Sequence, residues 1–108
     1  MDGALLVYCT FPTPEAAERI AHDVVEKRLA ACVNIVSQVR SVYQWQGKVC
    51  KEDEYLAMLK TSVGRFEALK SRIVEQHPYD CPEVIAVEIK DGHEDYLQWV
   101  ADETRPRD

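Results

Sequence analysis

The segment from Ala31 to Thr61 constrains the fold more than any other part of the sequence. Up to Trp45 its apolar residues recur at every second position, which is the period of a β-strand. The letters "WQGK" then offer a turn at Gly47, after which the chain returns as a second strand. Each arm is more than twice the usual strand length of about five or six residues. The sequence therefore predicts one long β-hairpin.

The alternation predicts two faces along the first arm of the hairpin. One face is mostly apolar and the other is polar, as in a strand that covers a core on one side. The predicted apolar face contains Ala31, Val33, Ile35, Val39, Tyr43 and Trp45, and the polar face contains Asn34, Gln38, Arg40 and Gln44.

The segments around the hairpin predict two short strands and three helices. Before it, Ala4 to Thr10 forms a strand, and a helix capped by Thr13 runs to about Leu29. After it, Ser62 caps a second helix, which Pro78 ends.

The C-terminal part adds a strand and a helix. The nearly continuous β-formers from Val84 to Ile89 predict a well-covered strand. A last helix follows Gly92 and is expected to turn Tyr96, Leu97 and Val100 inward.

This order, βαββαβ plus a terminal helix, predicts an α+β, ferredoxin-like fold with helices on one face of an antiparallel sheet. In that fold the first and fourth strands are antiparallel neighbours. We therefore expect Cys9 to lie beside Glu83 and Val84 at one end of the sheet.

The hairpin is too long for the strands beside it, so part of it must extend beyond the sheet. Exposed backbone groups together with Val42, Tyr43 and Trp45 would favour aggregation unless another chain covers them. The mismatch in length therefore predicts an obligate oligomer.

Composition and charge narrow the class of protein. With 108 residues the chain is expected to form a single domain over residues 1–108. Its net charge of −6, without a basic cluster, disfavours nucleic acid as a partner. The N-terminal sequence resembles neither a signal peptide nor a membrane span. Four widely spaced cysteines predict a reducing, cytoplasmic location and no disulfide framework.

The stretch "HPYDCPEV", residues 77–84, carries the most distinctive chemistry. Cys9 and His77 form a plausible thiolate and imidazole pair for copper, to which Cys81 or Asp80 would add a third donor. The alternative is structural, with Cys9 as a small buried apolar residue and His77 as the end of a helix.

Two further hypotheses use the same region. In a thiol hydrolase, Cys9 would be the nucleophile, His77 its base, and Asp80 or Glu83 the orienting carboxylate. In a ligand-binding protein, an inter-subunit cleft would be lined by four residues, namely Glu54, Lys60, Tyr79 and Trp99.

Five fragments, "ACVNI", "SVYQWQGK", "MLKTS", "HPYDCPEV" and "YLQWV", together resemble the CutA divalent-cation tolerance proteins in order and spacing across nearly the entire chain. The resemblance implies a homotrimer built by pairing of long hairpins, similar to PII-like signalling proteins. It also implies binding of copper or other divalent cations without an enzymatic reaction.

The resemblance assigns the metal to two positions of this sequence. Cys9 matches the family cysteine at the end of the first strand, and His77 matches the histidine before the Pro-Tyr pair. Gln76 stands where some relatives carry a second histidine, so this chain lacks one strong ligand.

Overall fold

A computed structural model describes residues 3–106, and in it four strands form one antiparallel sheet in the order β2-β3-β1-β4. The predicted order, βαββαβ plus a terminal helix, is confirmed. The ends of the predicted domain, residues 1–2 and 107–108, lie outside the described residues. The elements are β1 (Ala4–Phe11), α1 (Pro14–Glu26), β2 (Cys32–Trp45), β3 (Lys48–Ser62), α2 (Phe66–Gln76), β4 (Ile85–Glu88) and α3 (Glu94–Glu103).

The core lies between one face of the sheet and the helices α1 and α2. Side chains of β1 alternate between buried and half-buried along the strand, so that one face contacts the helices. The amphipathic helices turn one stripe each toward that face. The buried set includes Leu5, Val7, Cys9 and Phe11 of β1, Ile20 and Val24 of α1, Leu59 of β3, and Leu69 and Ile73 of α2.

The ends of the two covering helices mostly follow the predicted signals. Thr13 caps α1 through its hydroxyl oxygen, which accepts a hydrogen bond from the backbone N–H of Ala16 at 3.1 Å. At the end of α2, His77 has extended backbone angles because Pro78 follows it. Ser62 was expected to cap α2, but it makes no side-chain cap. A 3-10 turn, Val63–Arg65, lies between Ser62 and the helix.

The third helix packs against the opposite face of the sheet. The hydroxyl oxygens of Thr104 and Ser62 are 3.1 Å apart, and Ser62 alternates along β3 with the core-facing Thr61. Val100 is fully buried there. Tyr96 was expected to face inward, but it is 41% exposed and packs beside Trp99, with ring centroids 5.5 Å apart.

The fourth strand differs from its prediction in length and burial. It spans only Ile85–Glu88, and all four of its side chains are exposed, so the expectation of a well-covered strand is wrong. The reason is its position, because β4 lies at the edge of the sheet with β1 as its neighbour.

A β-bulge interrupts the first arm of the hairpin. Val36 lies opposite Leu56, but Val39 lies opposite Glu54, so β2 gains one residue between them. Gln38 takes a left-handed backbone angle there, with φ of 58°. An extra residue reverses the alternation beyond it. The prediction of one continuous apolar face is therefore wrong, since Val39, Tyr43 and Trp45 lie on the face opposite to Val33 and Ile35.

Candidate functional site

The loop of residues 77–84 lies against the end of β1, as the fold predicted. Tyr8 is opposite Ile85 in the antiparallel pairing of β1 with β4. Cys9 therefore lies beside the entry to β4, close enough for the Glu83 carboxylate to contribute to the raised pKa of its thiol.

Both ring nitrogens of His77 are engaged in hydrogen bonds. The backbone N–H of Tyr79 donates to Nδ1 at 3.1 Å, so Nε2 carries the proton and donates to the carbonyl oxygen of Thr10 at 2.8 Å. The ring stacks on Phe11 with centroids 4.7 Å apart. Burial lowers the pKa of His77 below its usual value, which favours the neutral ring. The imidazole thus joins the loop to the end of β1.

Cys9 is fully buried, and its Sγ lies 3.9 Å from the same carbonyl oxygen of Thr10. Burial raises the pKa of the thiol to about 12, with further contributions from the carboxylates of Glu83 and Glu54. A thiol with this pKa remains protonated at neutral pH, whereas a nucleophile must be a thiolate. The raised pKa of the Cys9 thiol therefore disfavours the hydrolase hypothesis.

The structure brings Cys9 and His77 together around one backbone oxygen, but it does not group them with a third donor. Within residues 3–106, no three His, Cys, Asp or Glu side chains are placed so that they could hold a metal ion. The predicted third donors, Cys81 and Asp80, are exposed in the loop. The copper site stays a prediction.

Of the four predicted cleft residues, Glu54 and Tyr79 contact each other within one chain, whereas Lys60 and Trp99 each contact a residue outside this set. The hydroxyl of Tyr79 donates to Oε2 of Glu54 at 2.7 Å. Lys60 lies six residues further along β3, about 20 Å away along the strand. It contacts Asn34, and Trp99 contacts Tyr96 on α3. A cleft containing all four residues would need a second copy of the chain.

A groove of about 700 Å³ opens between the hairpin and the loop. We call it the hairpin groove. The hairpin and the loop both contribute carboxylates and aromatic rings to it. The sequence analysis did not place Tyr43 and Glu52 in a site. In the structure, the Tyr43 hydroxyl donates a hydrogen bond to the Glu52 carboxylate at 2.5 Å. The lining residues are Thr10, Ser41, Val42, Tyr43, Trp45, Cys50, Glu52, Glu54, Pro78, Tyr79, Asp80, Cys81 and Glu83.

The turn of the hairpin carried a signal for the missed residues. Gln46 and Gly47 both have positive φ, of 51° and 78°, and together they form a two-residue hairpin turn. Counting back from this turn places Tyr43 opposite Cys50 and Ser41 opposite Glu52, as observed. Counting forward from the core, as the sequence analysis did, crosses the bulge and assigns the wrong face.

The strand order, the covering helices and the groove define a small ferredoxin-like α+β protein whose hairpin extends beyond its sheet. The family model described as CutA1 divalent ion tolerance protein matches residues 5–103. This chain belongs to the CutA1 divalent ion tolerance protein family.

Individual relatives agree with this assignment. The divalent-cation tolerance protein CutA of Thermus thermophilus is 44% identical over 92% of this chain and 96% of its own length. The human Protein CutA is 45% identical over 86% of this chain. The chain spans 52% of the human protein and 56% of the chloroplastic CutA protein of Arabidopsis thaliana, which is 43% identical.

Solved structures share the fold. The crystal structure of CutA1 from Oryza sativa superposes with a TM-score of 0.93 at 43% identity, covering 96% of this chain and 95% of that one. The Cut A1 structure from Thermus thermophilus gives 0.92 at 43% identity, covering 94% and 99%. The periplasmic divalent cation tolerance protein CutA from Archaeoglobus fulgidus gives a TM-score of 0.91 at 33% identity, covering 94% and 99%. In residues 3–106 of this chain, no helix has the length and apolar character needed to cross a membrane.

Proposed function

We propose that this chain forms a homotrimer through its hairpin and binds copper or other divalent cations in metal-ion tolerance, without catalysing a reaction. Membership of a family named for divalent ion tolerance supports the cation as its target. All four cysteines, each within the described residues, are free thiols. This agrees with the reducing cytoplasm as the proposed location.

The main support for the proposed trimer is the length of the hairpin. β2 and β3 have 14 and 15 residues, whereas β1 has eight and pairs with β3 only as far as Tyr55. Beyond that point the hairpin has two strands, and it exposes 65% of Val42 and 70% of Val49. Because isolated two-stranded ribbons are marginal in water, pairing with other copies would stabilise it.

Cys9 and His77 are the proposed copper ligands, and their geometry defines what binding requires. The ion must displace the proton of a buried thiol, which favours a soft ion such as Cu(I). It must also replace a hydrogen bond of the His77 ring, for example the one from the N–H of Tyr79. Metal binding at Nδ1 should therefore change the loop around Tyr79, while the hydrogen bond from Nε2 to the Thr10 carbonyl keeps the loop joined to the end of β1.

Copper titration by calorimetry at neutral pH tests this proposal. We expect Cys9→Ser and His77→Gln to lower copper affinity by about tenfold or more, because each removes a ligand that water replaces poorly. His22→Ala and Cys50→Ser are controls at positions outside the proposed site and should leave the affinity unchanged. If Cys9→Ser and His77→Gln titrate like the parent while remaining folded oligomers, these residues are not the ligands.

The hairpin groove favours a second candidate function. A PII-like trimeric sensor would bind a small molecule in a cleft, and the groove has room for one. A screen of small molecules without metal separates the two functions, since only the sensor would show saturable binding.

A further inference from the structure

The hairpin groove is lined by acidic side chains, and no positively charged side chain among its described lining residues compensates them. Glu52, Glu54, Asp80 and Glu83 line it, and the described lining residues include neither lysine nor arginine. None of the four carboxylates takes part in an ion pair within residues 3–106. The potential in the groove therefore repels anions and attracts cations.

Glu54 is the residue that most needs a partner. The residue is buried, with 7% of its surface exposed, and its carboxylate accepts a hydrogen bond from the neutral phenol of Tyr79. A buried carboxylate is costly unless a positive charge compensates it. Asp23 shows the usual solution in the same chain, because Arg72 and Lys27 both pair with it. Glu54 has no such cation in the described chain.

The shape and walls of the groove select the kind of cation. Tyr43, Trp45 and Tyr79 contribute aromatic rings, which attract ammonium and guanidinium groups through their faces. A bare metal ion would instead need several grouped donors, and the described residues offer no group of three. An organic cation needs only hydrogen-bond acceptors and aromatic surface.

We propose that the hairpin groove binds an alkylammonium or guanidinium group, with the Glu54 carboxylate as its counter-ion and Tyr43, Trp45 and Tyr79 as its aromatic walls. This deepens the sensor function, on which it rests, and is independent of copper at Cys9 and His77. Nucleotides and other phosphates are excluded from this groove because four carboxylates face them.

Calorimetric titration with spermidine and agmatine, and separately with ATP and inorganic phosphate, tests the assignment. We expect saturable binding of at least one amine and none of the anions. Glu54→Gln keeps an acceptor for the Tyr79 hydroxyl but removes the charge, so it should weaken amine binding by about tenfold or more. Glu75→Gln, on an exposed position of α2, is the control for net charge and should bind like the parent.

Light scattering distinguishes a free amine from a Lys or Arg side chain of a second copy. If Glu54→Gln lowers the oligomer mass and the parent binds no amine, the cation is a Lys or Arg side chain of a second copy. Glu54 would then still be the counter-ion of a cation. ATP binding that Glu54→Gln abolishes would overturn the cation assignment but leave the sensor function. If neither amines nor anions bind and the mass of Glu54→Gln is unchanged, both the cation assignment and the sensor function are overturned.

Discussion

At the scale of single residues, Asp23 is the main polar contact between α1 and α2. Arg72 of α2 reaches its two carboxylate oxygens with Nε at 2.8 Å and Nη2 at 3.1 Å, and Gln76 donates a third hydrogen bond. Lys27, one turn further along α1, pairs with the same carboxylate at 2.7 Å. These contacts differ in kind, because the bond to Arg72 joins two helices and the bond to Lys27 lies within one.

Replacing the two cationic partners of Asp23 by methionine, one at a time, separates their contributions. Arg72→Met should lower the free energy of unfolding by about 1–2 kcal/mol, because it removes two charge-assisted hydrogen bonds between helices. Lys27→Met removes only an exposed i,i+4 pair and should cost less than about 0.5 kcal/mol. Urea denaturation at one fixed protein concentration measures both. Equal losses would show that Arg72 contributes nothing beyond a surface ion pair.

The same contacts give Asp23 a pH dependence of known sign. Hydrogen bonds, first of all from Arg72, hold the pKa of Asp23 well below its usual range. A lowered pKa stabilises the fold at pH values above the ordinary carboxyl pKa of about 4, and this stabilisation is lost as the pH falls below it. The parent should therefore lose more stability than Asp23→Asn does when urea denaturation is repeated below that pH.

At the scale of elements, the sequence predicted what depends on periodicity and missed what depends on one residue. The length of the hairpin and the pairing of β1 with β4 follow from repeated patterns and from the order of elements. The bulge in β2 could not be predicted in this way, since Gln38 is not the glycine that usually signals a left-handed angle. Because the bulge decides which side chains face the loop, the hairpin groove was missed with it.

The left-handed angle of Gln38 makes the bulge testable. Gln38→Val should lower the free energy of unfolding by about 1–2 kcal/mol, because a β-branched residue is strained at positive φ. Gln38→Gly should cost nothing at this position. Gln44→Val introduces the same side chain in the same strand beyond the bulge and should change stability by less than about 0.5 kcal/mol. If both valine variants unfold at the same urea concentration, residue 38 does not have the left-handed backbone angle of the bulge.

At the scale of the whole molecule, the hairpin determines the shape. The chain measures 44 × 28 × 22 Å along its principal axes, and its radius of gyration of 14.4 Å exceeds the roughly 13 Å expected for a compact domain of this length. Within residues 3–106, both edge strands, β2 and β4, also have one side without a strand neighbour. Ile85 and Val87 of β4 are 57% and 52% exposed. These open edges and apolar side chains are what a symmetric assembly would cover.

The exposed valines of the hairpin provide the test of that assembly. In light scattering after gel filtration, the parent should have three times the 12.4 kDa mass of one chain. Val42→Asp with Val49→Asp should reduce the mass to one or two chains, because two charges would be buried against neighbouring copies. The matched control is Val63→Asp with Val74→Asp, which changes valines that are 52% and 49% exposed outside the hairpin and should leave the mass unchanged. A parent of single-chain mass would contradict the trimer, and an equal effect of both double variants would show that the hairpin is not its interface.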